Sequence, residues 1–179
     1  MEVASVANGW VNTPDSINPE ILAQVRRIIA SNIYCTLSTC SVDCMPWASP
    51  VFFAFDDTFN FYWSSAIASK HSQNLYSNAG RIAIAIFDSR PPNGIAEGVY
   101  FSGTAAEVQS REDAKVALER LLARARRKHN RTVDDYLGDS PRRIYQFQPQ
   151  EVWVTGERIA VDNQLVDTKV YVSLADLIS

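Results

Sequence analysis

Glycine, cysteine and histidine are scarce in this 179-residue chain, at seven, three and two residues, and each shortage removes a class of chemistry. With His71 and His129 as its two histidines and no G-x-S-x-G elbow, the chain has little material for a hydrolytic triad. Cys35, Cys40 and Cys44 are spaced x4 and x3, unlike the C-x-x-C pairs of zinc sites, and their odd number argues against a secreted disulfide scaffold. They read as reduced thiols, and no metal site is expected. Gly98 and Gly103 have the outer spacing of a P-loop, but Thr104-Ala105 follows where a lysine and a hydroxyl are needed, and no G-x-G-x-x-G follows a strand. An apolar run long enough to span a bilayer is missing, and the acidic start is not followed by a leader-like apolar stretch, so the expectation is no membrane partner and a cytoplasmic location. The formal charge of −3 gives no general attraction for polyanions. The basic run Arg124, Arg126, Arg127, Lys128 and Arg131 carries no interleaved aromatic residues, so it reads as the solvated end of a helix, with no nucleic-acid partner expected.

What is present is an ordinary globular composition, 46% hydrophobic, with a strand-rich pattern. Residues 1–17 have no periodicity and one notable side chain, Trp10; they read as an N-terminal arm before a single domain over 18–179. Asn18-Pro19-Glu20 is a helix start, and Ile21, Leu22, Val25, Ile28 and Ile29 recur at helical spacing to about Ser31. Strands follow at Ile33–Thr39, Trp47–Phe55 and Phe59–Trp63, the last two joined by an Asp56-Asp57 turn, and together they predict a three-strand meander. Pro50 cannot donate to a ladder, which places its part of the strand at an edge, a bulge or a ligand. A short helix ends at Gly80, and the apolar run Arg81–Phe87 predicts a strand buried on both faces. After a loop over Ser89–Gly98 comes a long strand, Val99–Val108, with Gly103 expected at a bulge or a point of close approach. The helix opened by Ser110 turns Val116, Ala117, Leu118, Leu121 and Leu122 to the core. A strand over Arg143–Thr155 is expected to break at Pro149, and a terminal hairpin turns around Asp162-Asn163-Gln164. The class is mainly β with peripheral helices, an antiparallel barrel or sandwich.

One stretch gathers residues of three polarities. Trp47, Ala48, Pro50, Val51, Tyr62 and Trp63 suit the border of a planar ring, and Ser49, Ser64 and Ser65 bring hydroxyls. Ser69, Lys70 and His71 stand at a helix start, where backbone N–H groups and the helix dipole favour an anion. A flat head, a hydroxylated middle and an anionic tail describe a mononucleotide flavin. The plainer reading of the same residues is a core strand followed by an N-cap.

Four segments in order decide between these readings: Pro46 to Phe53, Phe61 to Ser65, Ser69 to Leu75, and Gly98 to Ala105. Over about residues 20 to 160 they resemble the pyridoxamine 5′-phosphate oxidase-like family of FMN-binding split barrels. The resemblance implies an antiparallel six-stranded split β-barrel that forms a homodimer, with FMN at the subunit interface and a small-molecule substrate. It implies that Trp47, Ala48, Ser49 and Val51 lie along the flavin ring and ribityl chain. Ser64 and Ser65 would meet the ribityl or phosphate end, and Ser69, Lys70 and His71 the phosphate. Where the family's oxidases read Ser-Arg-Lys this chain has softer cations, which implies a pH-dependent phosphate grip. Glu151-Val152-Trp153 resembles the oxidases' Glu-x-Trp, so Trp153 would reach the flavin of the other subunit. Their Arg-x-His is here Arg158-Ile159-Ala160, leaving Arg158 as the candidate anchor for an anionic substrate, and their closing Arg-Leu-x-Pro is absent. The expectation is an FMN-dependent oxidoreductase with no catalytic base identified. Genuine pyridoxine or pyridoxamine phosphate oxidation, and a non-enzymatic flavin or haem carrier, are the alternatives.

Overall fold

A computed structural model describes residues 11–12, 18–90, 97–125 and 130–179. The expectations about Trp10, about Arg126, Arg127 and Lys128, and about most of the loop after Ser89 lie outside these residues. The elements in chain order are β1 (Val11–Asn12), α1 (Pro19–Ser31), β2 (Tyr34–Cys40), β3 (Pro46–Phe52), β4 (Ala54–Phe55), β5 (Phe61–Ala66), α2 (Lys70–Ser77), β6 (Arg81–Phe87), β7 (Gly98–Glu107) and α3 (Arg111–Ala125). A 3-10 turn (Val133–Tyr136) then leads to β8 (Arg142–Thr155), β9 (Ile159–Val161), β10 (Gln164–Val166), β11 (Lys169–Val172) and α4 (Leu174–Ile178). The chain is mainly β, with four α-helices among the described residues.

The six longer strands curl into a sheet of order β3-β2-β6-β7-β8-β5. One edge of β8 runs along β7, while its other edge takes β5 over residues 142–147 and β11 over 152–155. No ladder joins β3 to β5, and this gap is the split in the barrel. Its interior is aromatic: Phe61 meets Phe101 edge-on at 4.8 Å and stacks with Phe147 at 5.9 Å. Such pairs add direction to the apolar burial that holds the fold. α1 closes one end with Val25, Ile28 and Ile29, and its Asn18 cap accepts the Glu20 N–H at 2.9 Å.

Several expectations change. Trp47–Phe55 is two strands, because Phe53 turns its ring into the core and its N–H to Ile33 O at 3.3 Å. After that turn β4 pairs with β5, so β2, β3 and β5 are no meander. Phe59 is in the turn, with φ 58°, where Asp56 accepts from the Thr58 and Asn60 N–H groups. β6 is buried on one face: Ile82, Ile84 and Ile86 point inward, while Arg81, Ala83 and Phe87 are exposed on the sheet's outer face. Val116 is exposed and Leu122 half-buried, because Ala114, Ala117, Leu118 and Leu121 already fill the stripe α3 packs on the sheet. β8 runs unbroken through Pro149; opposite Ser102 and Gly103 it carries one extra residue, Gln150, so the bulge lies on β8 and Gly103 is the point of close approach. A Cβ at Gly103 would stand 2.2 Å from Gln148 O, so only glycine permits that approach.

Arg124 does not stay in solvent. Its guanidinium lies 4.8 Å from both the Phe53 and Phe55 rings and donates to the Ile29 and Asn32 carbonyls at the end of α1. A cation from α3 thus caps another helix.

Candidate functional site

The site lies across the split. β3 contributes Trp47, Ser49 and Val51 on its inner face, since the register with β2 pairs them with Thr39, Leu37 and Cys35. β5 contributes Ser65 on the face it shares with Trp63, and α2 follows within four residues, started by Ser69 as its N-cap. His71, in the first turn of α2, is 9% exposed and reaches both open barrel edges. Its Nδ1 is 3.1 Å from Ser49 Oγ on β3, and its Nε2 is 2.7 Å from Ser65 Oγ on β5 and 3.1 Å from Ser69 Oγ. The imidazole is therefore a polar rivet where a ladder would otherwise run.

Proton directions follow from the partners. Trp47 Nε1 can only donate, and it does so to Ser49 Oγ at 2.9 Å. Ser49 Oγ keeps a proton that it can donate to His71 Nδ1, an arrangement that puts the ring proton on Nε2 between Ser65 and Ser69. Burial pushes the His71 pKa below its ordinary value, so the ring is neutral at pH 7. A second layer fixes the first: Asn74 Nδ2 donates to Thr39 Oγ1 at 2.9 Å, tying α2 to β2.

Of the residues singled out in the sequence, Trp47, Ser49, Ser65, Ser69 and His71 come together. Val51 sits one inward position beyond Ser49, half-buried against the core. Lys70 is exposed at the rim of α2. Ala48 points to the outer face of β3, paired with Ser38. Ser64 points away from His71 and receives Arg142 Nη2 at 3.4 Å. Trp153 lies far along β8, packed edge-on against Tyr171 at 5.1 Å. Arg158 is in an exposed ion pair with Asp167 at 2.7 Å. The chain alone does not bring Trp153 or Arg158 to the His71 cluster.

Sequence reasoning missed Arg142 and Tyr145. Arg142 pairs with Ala66 beside the entrance to α2, and its buried Nε has no hydrogen-bond partner. Arg120 Nε and Arg124 Nε are also buried without a partner, so the orphan atom alone does not single out Arg142 as an anion ligand. Tyr145 is fully buried, stacked on Trp63 at 5.6 Å. Both residues sit on β8, far from α2 in sequence, and the pairing of β5 with β8 is what delivers them. Among the described residues no group of three or more His, Cys, Asp or Glu could hold a metal ion.

A flavin mononucleotide can be tested against these groups. The first N–H groups of α2 and Lys70 suit its phosphate, and the exposed Trp47 edge suits a flat ring; Arg142 lies with Ser64 on the other face of β5. The residues fit the phosphate end; the ring end has one wall in this chain.

Fold and site together define a split-barrel protein with a polar cluster at the split. The sequence matches the pyridoxamine 5′-phosphate oxidase family over residues 21–156, and the chain belongs to that family. No curated protein matches it. Among solved structures, the heme binding protein of Mycobacterium smegmatis is similar with a TM-score of 0.64 at 20% identity, covering 91% of this chain. This chain spans 62% of the length of that protein. HutZ, the heme storage protein of Vibrio cholerae, gives a TM-score of 0.56 at 15% identity, with 73% of this chain and 91% of that one covered. An F420 reductase gives 0.51 at 16% identity, with 67% and 88% covered. At these identities the similarity establishes the fold. No described helix is long and apolar enough to cross a membrane.

Proposed function

We propose that residues 18–179 form a cytoplasmic, homodimeric FMN-binding domain acting as an oxidoreductase on a small substrate. The observation that carries this is the cluster at the split: a buried imidazole holding three serines in place at the N-terminus of α2, with Lys70 beside it. In this reading Ser69, Lys70 and the first N–H groups of α2 hold the phosphate. His71 orients Ser49 and Ser65 toward the ribityl chain, Trp47 and Val51 border the ring from the inner face of β3, and Ala48 contributes through its backbone. Ser64, held by Arg142, stands beside the phosphate end. The second wall is Trp153 supplied by a second copy. FMN, when bound, supplies the two-electron chemistry, and the chain supplies position and exclusion of water. Arg158 would have to exchange Asp167 for an anionic substrate. The missing histidine after Arg158 separates this reading from vitamin B6 oxidation.

A haem-carrier reading draws on similar folds that bind or store heme. The serines that occupy both ring nitrogens of His71 argue against that imidazole as an axial ligand. Absorption spectra and melting temperatures of the purified protein, with FMN and separately with haem, test both. The flavin reading expects oxidised-flavin bands and a melting temperature that rises with FMN concentration. A protein that FMN neither colours nor stabilises contradicts it, and haem stabilisation with a Soret band would replace it.

A further inference from the structure

Trp47 is a 47% exposed indole on β3, a strand with a ladder to β2 on one edge and, among the described residues, none on the other. It is nevertheless held at both ends. At the side-chain end Nε1 donates to Ser49 Oγ at 2.9 Å, and Ser49 Oγ is 3.1 Å from His71 Nδ1. At the backbone end the Trp47 carbonyl accepts the Thr39 hydroxyl at 3.4 Å, and that hydroxyl accepts from Asn74 Nδ2 at 2.9 Å. Asn74 and Thr39 are 2% and 5% exposed, so this pair would cost desolvation if its bonds were not made. His71 and Asn74 are three residues apart on α2 and share one face of the helix. Asn78, at the end of the helix, continues that face and donates to Cys40 Sγ at 2.9 Å. α2 therefore reaches Trp47 by two arms, one through Ser49 on β3 and one through Thr39 on β2.

We propose that Asn74 and Thr39 are positioning residues for Trp47, which with the His71–Ser49 arm fix the indole as the wall of the ring end of the pocket. What the wall meets rests on the flavin reading; how it is held belongs to the free chain. The bond at Nε1 alone would leave the edge strand free to tilt and carry the ring with it. The Thr39 bond to the Trp47 carbonyl stops that tilt, and Asn74 keeps the Thr39 hydroxyl turned toward the carbonyl by occupying its acceptor side. Both arms start on the helix whose first turn is the proposed phosphate seat, so one element sets the distance between seat and wall. A ligand with a ring at one end and an anion at the other meets that distance ready-made, which lowers the ordering cost of binding. If Asn74 served only to tie α2 to β2, its loss would loosen the whole site and leave Trp47 no more affected than its surroundings.

The test starts from ligand-free, ¹⁵N-labelled protein, in which a Trp47→Phe spectrum assigns the Trp47 Nε1–H signal and saturation transfer reads its exchange with water. Thr39→Val keeps the branched shape and removes the hydroxyl; exchange at Trp47 should speed by about tenfold, the equivalent of one lost hydrogen bond. Asn74→Ala should speed it as well, and Thr39→Ser, which keeps the hydroxyl, should restore the slow rate. The Trp63 Nε1–H, fully buried on β5, is the internal control and should not change. Unchanged exchange at Trp47, or equal acceleration at Trp47 and Trp63, overturns the proposal. Riboflavin and inorganic phosphate, titrated separately, then read the pocket: Thr39→Val should weaken riboflavin by about fivefold and leave phosphate unchanged. Equal weakening of both would overturn the role of Trp47 as a ring wall. Wild-type protein that binds neither contradicts the flavin reading, while the exchange rates still decide how Trp47 is held.

Discussion

The two ends of β8 differ sharply. At Arg142–Tyr145 the strand runs beside β5, and Tyr145 meets Tyr76 of α2 close to the serines and the imidazole. At Trp153 it lies on the outer face of the sheet, with Tyr100 and Tyr171 beside it and Phe87 and Tyr34, 52% and 58% exposed, farther across. The first end has its polar cluster within one chain. The second leaves a broad apolar face uncovered, the mark of an interaction surface. A site that joined both ends would need two chains, which is the physical content of the proposed dimer.

Changes on the two faces should separate most clearly in stability. Phe61→Ala, inside the barrel, should cost about 3–5 kcal/mol in denaturant unfolding, from lost burial and the cavity left behind. Phe87→Ala on the outer face should leave unfolding of the dilute chain within about 0.5 kcal/mol, and weaken association measured by light scattering. Equal costs would erase the distinction between the faces.

Arg124 sharpens the comparison next, because it is a cation that the inner architecture uses. Arg124→Ala should cost about 2 kcal/mol, through lost charge-assisted bonds to the α1 carbonyls and lost stacking on Phe53 and Phe55. Arg111→Ala, which breaks an exposed pair with Asp134, should cost less than about 0.5 kcal/mol by the same measurement. At the split, Lys70→Ala should weaken FMN binding by about tenfold in an isothermal titration while the fold persists. Undiminished affinity would move the phosphate elsewhere.

The smallest effect is one of pH. Burial holds His71 below its ordinary pKa of 6.5, so the unfolded chain binds more protons between the folded and unfolded values. Its stabilisation is therefore complete above about pH 6.5 and fades as pH falls toward the folded value. Wild-type unfolding midpoints should drop more steeply than those of His71→Gln in that interval. A bound phosphate favours the charged ring, so FMN affinity should tighten as pH falls there, a window lower than a free imidazole would give.

The legible parts of the fold were those set by local chemistry: the Asn18-Pro19 helix start, the edge position of Pro50, the close approach at Gly103 and the Ser69 cap. The parts that depend on long-range pairing were not. The turn at Phe53, the continuity of β8 through Pro149 and the arrival of Arg142 and Tyr145 beside β5 follow from which strands meet. The site shows the same division. Serines and the histidine could be picked out from one stretch, but their separation by strand face, Ser65 toward His71 and Ser64 toward Arg142, required the register with β8.

The central claim is that the His71 cluster seats the flavin phosphate. Titrating FMN into the protein while following both the ³¹P signal of the ligand and the ring protons of His71 addresses it directly. The account predicts that both move together, saturate at the same FMN concentration, and report an imidazole shifted toward its charged form. FMN that binds without disturbing His71, or fails to bind at all, would contradict it.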